Sequence, residues 1–161
     1  EKLTTEEILW GNTNVRLLGN HNTVIHCESY NGGMGVSIAN LNNKVLYSFI
    51  HDNIIGIRLS ASSRGAEIAY NLIDNNNVNS ASGADGILAS RNVSRANIHH
   101  NQIYRSGEHG IYFQGDNSII SENVVSFNNH SGIKLASYTT DLHWHDDETP
   151  NPDYVGNNNI L

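Results

Sequence analysis

The sequence predicts an all-β fold, a right-handed parallel β-helix of about five to six short coils stacked along one axis. Two patterns that recur in phase along the chain support this prediction. Each copy is too short for a strand–helix–strand unit and alternates apolar with other residues, as strands do and helices do not. Stacked copies form a solenoid whose coils lie about 4.8 Å apart.

The first pattern is a glycine followed by an aliphatic residue, one variable position and usually a second apolar residue. Its copies begin at Gly35, Gly56, Gly86, Gly110 and Gly132, at steps of 21, 30, 24 and 22 residues. Because side chains alternate across a strand, the aliphatic residues should point inward and the variable residue outward. We expect glycine here because it supplies the φ freedom that a corner needs.

The second pattern has a small or polar residue at its centre, with an aliphatic residue three positions before it. The centres are Cys27, Ser48, Asn71, Asn101 and Asn123. Because asparagine tolerates the left-handed conformation of a sharp corner and its amide can bond to the next coil, we expect the three asparagines to form an internal ladder. The single cysteine cannot form an intramolecular disulfide and is expected to be a small buried side chain.

The segments that follow the repeat and those that interrupt it predict the domain and its insertion loops. We predict a single β-helix domain over residues 1–161, a segment of a longer β-helix. Residues 1–11 contain a capping-box pattern that ends in glycine, which predicts a short capping helix. Residues 74–85 and 136–158 break the repeat and are predicted insertion loops, which on solenoids often shape the binding surface.

The charge and the hydropathy of the sequence argue against nucleic-acid binding and against a membrane span. The net charge is −7 with nine Lys and Arg residues, whereas a nucleic-acid groove needs a clustered basic surface. No stretch approaches the roughly 18 consecutive apolar residues of a membrane span. We therefore expect neither nucleic-acid binding nor a membrane span.

One face of the solenoid should carry the catalytic and substrate-binding residues. The outward column consists of Ser37, Arg58, Leu88, Tyr112 and Lys134, and the column of residues before the glycines consists of Met34, Ile55, Asp85, His109 and Ser131. Cations, a carboxylate, an imidazole and a phenol can neutralise a sugar carboxylate and move a proton beside it. We predict Asp85, His109 and Tyr112 as catalytic residues, and Arg58 and Lys134 as substrate-binding residues. The alternative is an ordinary solvated face of mixed polar residues.

A second cluster lies at residues 143–148, with the sequence HWHDDE. Its candidate metal ligands are His143, His145 and Asp146, and its oxygen ligands would suit Ca²⁺. The spacing matches no zinc motif and a polar loop explains it equally well, so we predict no metal and no cofactor. Trp144 and Tyr138 are predicted to bind sugar rings, with packing of the loop onto the solenoid as the alternative.

The runs ADGIL at 84–88 and EHGIYF at 108–113 resemble the β-helix repeats of alginate-modifying proteins, the mannuronan epimerases and related polysaccharide lyases. The resemblance covers most of residues 12–135 and implies that Asp85 and His109 line a substrate groove. Where those epimerases have a catalytic Tyr-Gly-aliphatic-Asp-Pro-His run, this chain has IGIRLS at 55–60. The coils are similar also to those of phage tailspikes and capsule depolymerases, which are often trimers.

These observations predict a protein that binds an acidic polysaccharide and degrades or modifies it by β-elimination or hydrolysis. Its expected location is extracellular, periplasmic or on a virion surface, as a homotrimer or packed against further coils of the same protein. Hydrolysis needs two carboxylates, and the available partners for Asp85 are Asp74, Asp146, Asp147 and Glu148. The alternatives are a non-catalytic structural, adhesin or tail-fibre segment, or catalytic coils outside this segment.

Overall fold

The computed structural model describes residues 12–78 and 83–136, which form short strands that all pair in parallel. Numbered in chain order, the strands of a six-stranded sheet, sheet A, are β1 (Thr13–Leu17), β4 (Met34–Ile38), β7 (Ile55–Leu59), β10 (Ile87–Ala89), β13 (Ile111–Phe113) and β16 (Ile133–Leu135). Every coil adds one strand to this sheet and one to each of two others. This architecture confirms the predicted parallel β-solenoid.

The other two sheets have five strands each. Sheet B contains β2 (Thr23–Ile25), β5 (Lys44–Leu46), β8 (Glu67–Ala69), β11 (Asn97–His99) and β14 (Ile119–Ser121). Sheet C contains β3 (Glu28–Tyr30), β6 (Phe49–His51), β9 (Leu72–Asp74), β12 (Gln102–Tyr104) and β15 (Val124–Ser126). Strands of three residues cannot bury a core alone, so each coil depends on its neighbours.

The core consists of apolar columns that run along the solenoid axis. In sheet A, Ile57, Ile87 and Ile111 occupy equivalent positions on successive strands and are fully buried. Sheets B and C contribute equivalent columns that include Ile68 and Ile73. Burial of each such side chain stabilises the fold by about 1.5–3 kcal/mol.

Residues with positive φ form the corners between the sheets. Each of five coils has one such residue at each of its three corners. The three columns are His21, Asn42, Gly65, Arg95 and Asn117; His26, Tyr47, Tyr70, His100 and Glu122; and Asn31, Asp52, Asn75, Arg105 and Phe127. Asn40, Asn92 and Gly83 also have positive φ but lie outside these columns. The left-handed residue is therefore the one before Asn71, Asn101 and Asn123, and not the asparagine as we expected. Such residues cost on the order of 1 kcal/mol each, which the pairing of the flanking strands offsets.

The asparagine that follows each left-handed residue forms the predicted internal ladder. Asn71 Nδ2 donates to Asn101 Oδ1 at 2.9 Å, and Asn101 Nδ2 donates to Asn123 Oδ1 at 3.0 Å. Ser48 continues the column through its backbone N–H, which donates to Asn71 Oδ1 at 3.0 Å. Cys27 begins the column and is exposed, so its predicted burial is wrong. No described coil lies beyond it to cover the thiol.

The other two corners carry ladders that the sequence analysis missed. Asn53 Nδ2 donates to Asn76 Oδ1 at 3.1 Å, and Asn22 Nδ2 donates to Asn43 Oδ1 at 3.2 Å. Both ladders are shorter because small residues occupy the equivalent positions in later coils, such as Ser106 and Ala96. The side-chain amides bond backbone groups that a corner would otherwise leave unpaired.

The glycines that precede the sheet A strands have a different role from the one predicted. Among the described glycines, positive φ occurs at Gly65 and Gly83, so the repeated glycines do not supply φ freedom. At Gly56, an added Cβ would lie 2.4 Å from the carbonyl oxygen of Gly86 in the next coil. Glycine is needed there because the coils approach each other too closely for a side chain.

The predicted insertion at 74–85 belongs in part to the coil itself. Asp74 ends strand β9, Asn76 is buried in a corner ladder, and Val78 packs against Ile54 and Ala84. The residues of this segment that could protrude, 79–82, lie outside the described residues. The predicted capping helix and, apart from its first residue, the second predicted loop lie outside them as well.

Replacing the central ladder residue tests the ladder's contribution to stability. We expect Asn101→Ala to lower the free energy of unfolding by about 2–4 kcal/mol, because it leaves buried amide and carbonyl groups without partners. Urea denaturation measures the change. The neighbouring exposed Gln102→Ala is the control and should change stability by less than about 0.5 kcal/mol. Equal effects of the two substitutions would contradict a special role for the ladder.

Glycine-to-alanine substitutions test the close approach of the coils. Gly56→Ala should destabilise the protein by about 1–3 kcal/mol, since the new Cβ meets backbone that cannot move aside. Gly132 is the matched control, because its Cβ would lie 3.7 Å from the nearest atom of the described residues, an ordinary contact. The midpoints of thermal unfolding of the two variants are compared. An unchanged midpoint for Gly56→Ala would contradict this explanation.

Candidate functional site

The outer face of sheet A carries the predicted outward column in register. Arg58 pairs with Leu88, Leu88 with Tyr112, and Tyr112 with Lys134 on successive strands. Ser37 precedes Arg58 in the same column. The alternation of a strand thus places these side chains one above another, as the sequence predicted.

Asp85 and His109 meet where the chain enters strands β10 and β13. The carboxylate oxygen Oδ1 of Asp85 accepts the backbone N–H of His109 at 3.0 Å and lies 3.0 Å from Nδ1 of the same residue. Asp85 is 1% exposed and His109 is 7% exposed. Since a carboxylate can only accept, Nδ1 carries the proton of this bond, and Nε2 of the neutral imidazole is the acceptor.

Tyr112 and Lys134 complete a cluster around the imidazole. The rings of His109 and Tyr112 are 5.3 Å apart at an interplanar angle of 28°. Lys134 Nζ lies 5.1 Å from the centre of the Tyr112 ring, within the range of a cation–π interaction. Gln114 Nε2 donates to Tyr112 Oη at 3.0 Å, so the phenol oxygen is held by a hydrogen bond from the same strand region. An imidazole, a phenol and an ammonium group therefore share one surface.

Arg58 lies at the edge of this cluster. It is two coils from Tyr112, with Leu88 between them, which corresponds to about 10 Å along the column. Its Nε is buried and has no hydrogen-bond partner within the part of the chain that the structure describes. A buried donor in this state costs free energy until a partner binds it.

Two residues of the cluster were missed by the sequence analysis. Glu108 Oε2 lies 3.8 Å from His109 Nδ1, and the His130 ring lies 5.6 Å from the His109 ring. A signal for them was present in the repeat. Glu108 and His130 both stand two residues before a repeat glycine, in neighbouring coils, so they form a third column beside Asp85 and His109.

The sequence-predicted partners for hydrolysis do not approach Asp85 in the described part of the chain. Asp74 lies on β9 in sheet C and forms an ion pair with Arg105, so its proposed pairing with Asp85 on sheet A is wrong. The loop acids Asp146, Asp147 and Glu148 lie outside the described residues. So do His143, His145, Tyr138 and Trp144, for which metal or sugar binding stays a prediction.

An exposed row of rings follows the corner between sheets B and C. The Tyr47 and Tyr70 rings stack 4.8 Å apart at 4°, and Tyr70 lies 4.9 Å from His100. Because the ring faces are turned toward one another, they are not available to stack on a sugar. The contacts between these rings stabilise the corner, and His100 is itself a left-handed corner residue.

A shallow groove lies on the outer face of sheet B, away from Asp85. Its lining includes Lys44 and Glu67, whose side chains form an ion pair at 2.7 Å. The hydrogen bond from Lys44 lowers the pKa of Glu67 below its ordinary value, against the opposing effect of burial. The charges of Lys44 and Glu67 therefore satisfy each other in this groove.

Fold and site together define a parallel β-solenoid with a polar cluster on one face. The family model for the right-handed β-helix region matches residues 2–147, so the chain belongs to the right-handed β-helix family. No curated protein and no solved structure matches the chain. The described residues contain no helix that could cross a membrane. The fold supports a role in association with polysaccharides or a structural role.

The ion pair in the sheet B groove makes stability depend on pH. A lowered pKa in the folded state stabilises the protein above the unfolded pKa, and this contribution is lost as the pH falls through the folded value. We expect Glu67→Gln to reduce the unfolding midpoint at pH 7 and to have a smaller effect as the pH falls below about 4.5. Thermal unfolding across this range is the measurement, and a pH-independent difference would contradict the ion-pair explanation.

Proposed function

We propose that this protein binds an acidic polysaccharide along the outer face of sheet A and cleaves it by β-elimination. The observation that carries the proposal is the hydrogen bond between the buried carboxylate of Asp85 and Nδ1 of His109, at 3.0 Å. It fixes the imidazole in one orientation and one tautomer, with Nε2 as a proton acceptor. A buried carboxylate also stabilises the imidazolium that forms when Nε2 takes a proton.

The reaction assigns a task to each member of the cluster. His109 Nε2 removes the proton on the carbon next to the sugar carboxylate, and the electron pair forms a carbon–carbon double bond as the glycosidic oxygen departs. Tyr112 donates its phenol proton to that oxygen, and the hydrogen bond from Gln114 Nε2 positions the phenol. Lys134 lies next to Tyr112 and neutralises the carboxylate charge that grows in the transition state.

Arg58 serves binding rather than the proton transfers in this proposal. Its distance along the column, about 10 Å from Tyr112, corresponds to roughly two sugar units. A uronate carboxylate at that position would be attracted by the positive charge of the Arg58 guanidinium. The polymer would then run along the solenoid axis, crossing successive coils.

Hydrolysis fits this geometry less well than elimination. A hydrolase needs two carboxyl groups about 5–9.5 Å apart on opposite sides of the bond. Asp85 is 1% exposed, and Asp85 and Glu108 both approach the same nitrogen of His109. They therefore lie on one side of any bound sugar.

A non-catalytic structural role is the second candidate, and one contact favours it. Asp85 Oδ1 also accepts the backbone N–H of His109, so the carboxylate acts as a coil-to-coil tie like the asparagine ladders. A spacer or adhesin would need this tie for stiffness alone. Loss of His109 would then alter stability and no reaction.

Turnover on a panel of acidic and neutral polysaccharides tests the proposal. Ultraviolet absorbance from unsaturated products should appear with an acidic glycan, and His109→Ala should reduce its rate at least about 100-fold. His99→Ala on sheet B is the matched control and should retain the wild-type rate. Circular dichroism checks that both variants are folded.

The other outcomes distinguish the candidates. New reducing ends without absorbance would identify a hydrolase and overturn the elimination. No product from any glycan, together with a lower unfolding midpoint for His109→Ala, would support the structural role.

A further inference from the structure

The cluster of Asp85, Glu108 and His109 has a donor set that suits a metal ion. The carboxylate oxygens of Asp85 and Glu108 and one ring nitrogen of His109 lie within 4.8 Å of one another. Asp85 Oδ1 is 3.0 Å and Glu108 Oε2 is 3.8 Å from His109 Nδ1. In a tetrahedral site with metal–ligand bonds of roughly 2.1 Å, ligand atoms are about 3.4 Å apart. Shifts of a few tenths of an ångström would bring both distances to that value.

The burial of the Asp85 carboxylate also favours a cation. Asp85 is 1% exposed, and buried charges in proteins are paired or bind metals because water cannot solvate them.

Part of the cluster is buried and rigidly held, and part of it is accessible to solvent. Asp85 and His109 are held by backbone pairing between the coils, whereas the Glu108 side chain is 24% exposed. The His130 ring stands 5.6 Å from His109, and it borders the position that a fourth ligand or a water molecule would occupy. Three protein ligands beside an open position are typical of accessible zinc sites.

We propose that Asp85, Glu108 and His109 bind a first-row divalent transition metal, with Zn²⁺ as the probe. One nitrogen and two oxygens favour such a metal over Ca²⁺, which prefers oxygen ligands alone. The metal takes the place of the proton between Asp85 and His109. This proposal goes beyond the proposed cleavage and does not depend on it, because binding is measured without a glycan.

Calorimetric titration of the metal-free full chain with ZnCl₂ tests the proposal. Wild type should bind one Zn²⁺ at this site, and Glu108→Gln should weaken binding at least about tenfold. Glu108 is the ligand of choice for substitution because its partial exposure allows the variant to fold. Thermal unfolding with Zn²⁺ and with EDTA gives a second readout, since a bound ion stabilises the folded state.

The histidines at 143 and 145 require a control, because they also could bind zinc. The double variant His143→Ala/His145→Ala should retain the site that Glu108→Gln loses. The proposal is overturned if wild type binds no Zn²⁺, or if Glu108→Gln binds it as tightly as wild type does. Binding that the double variant alone abolishes would place the metal in the segment 143–148 instead.

Discussion

Parallel backbone hydrogen bonds between successive coils are the interaction on which the rest of this structure depends. Most strands have three residues, and strands that short are not stable without neighbours on both sides. Pairing in register also offsets the cost of the left-handed corner residues, three in each coil. The stability of any one coil is therefore shared with the coils above and below it.

Register between coils also produces the functional site. Asp85 and His109 are 24 residues apart in the chain, yet they are neighbours because each precedes a repeat glycine. In the same column the earlier coils carry Met34 and Ile55, which pack in a small apolar cluster outside the solenoid with Ala84. Asp85 follows Ile55 in this column and is its first polar residue. It lies next to the apolar cluster, which accounts for the burial of its carboxylate.

The two proposals for this site make competing use of one atom. The proposed cleavage needs Nδ1 of His109 protonated and bonded to Asp85, so that Nε2 can accept a proton. The proposed metal site needs Nδ1 deprotonated, because the same lone pair binds the ion. One His109 side chain cannot do both at once. A metal bound there would therefore act against the elimination rather than assist it.

The sequence by itself determined the solenoid, its outward column and the ladder through Asn71, Asn101 and Asn123. Strand alternation and like residues at a fixed spacing are local signals that a repeat amplifies. The conformation of the corners was not predictable in the same way. Left-handed φ falls on residues as different as Tyr70, His100 and Glu122, because chain geometry and not residue preference imposes it.

Tertiary structure alone decided which side chains surround His109 and why the repeat requires glycine at the start of the sheet A strands. Glu108 and His130 lie in different coils, and their distances from the imidazole depend on side-chain packing that no periodicity encodes. The same holds for Gly56, whose missing side chain leaves room for a carbonyl of the next coil. Sequence patterns report which face a residue occupies, whereas contacts between coils depend on ångström-scale separations that the assembled fold sets.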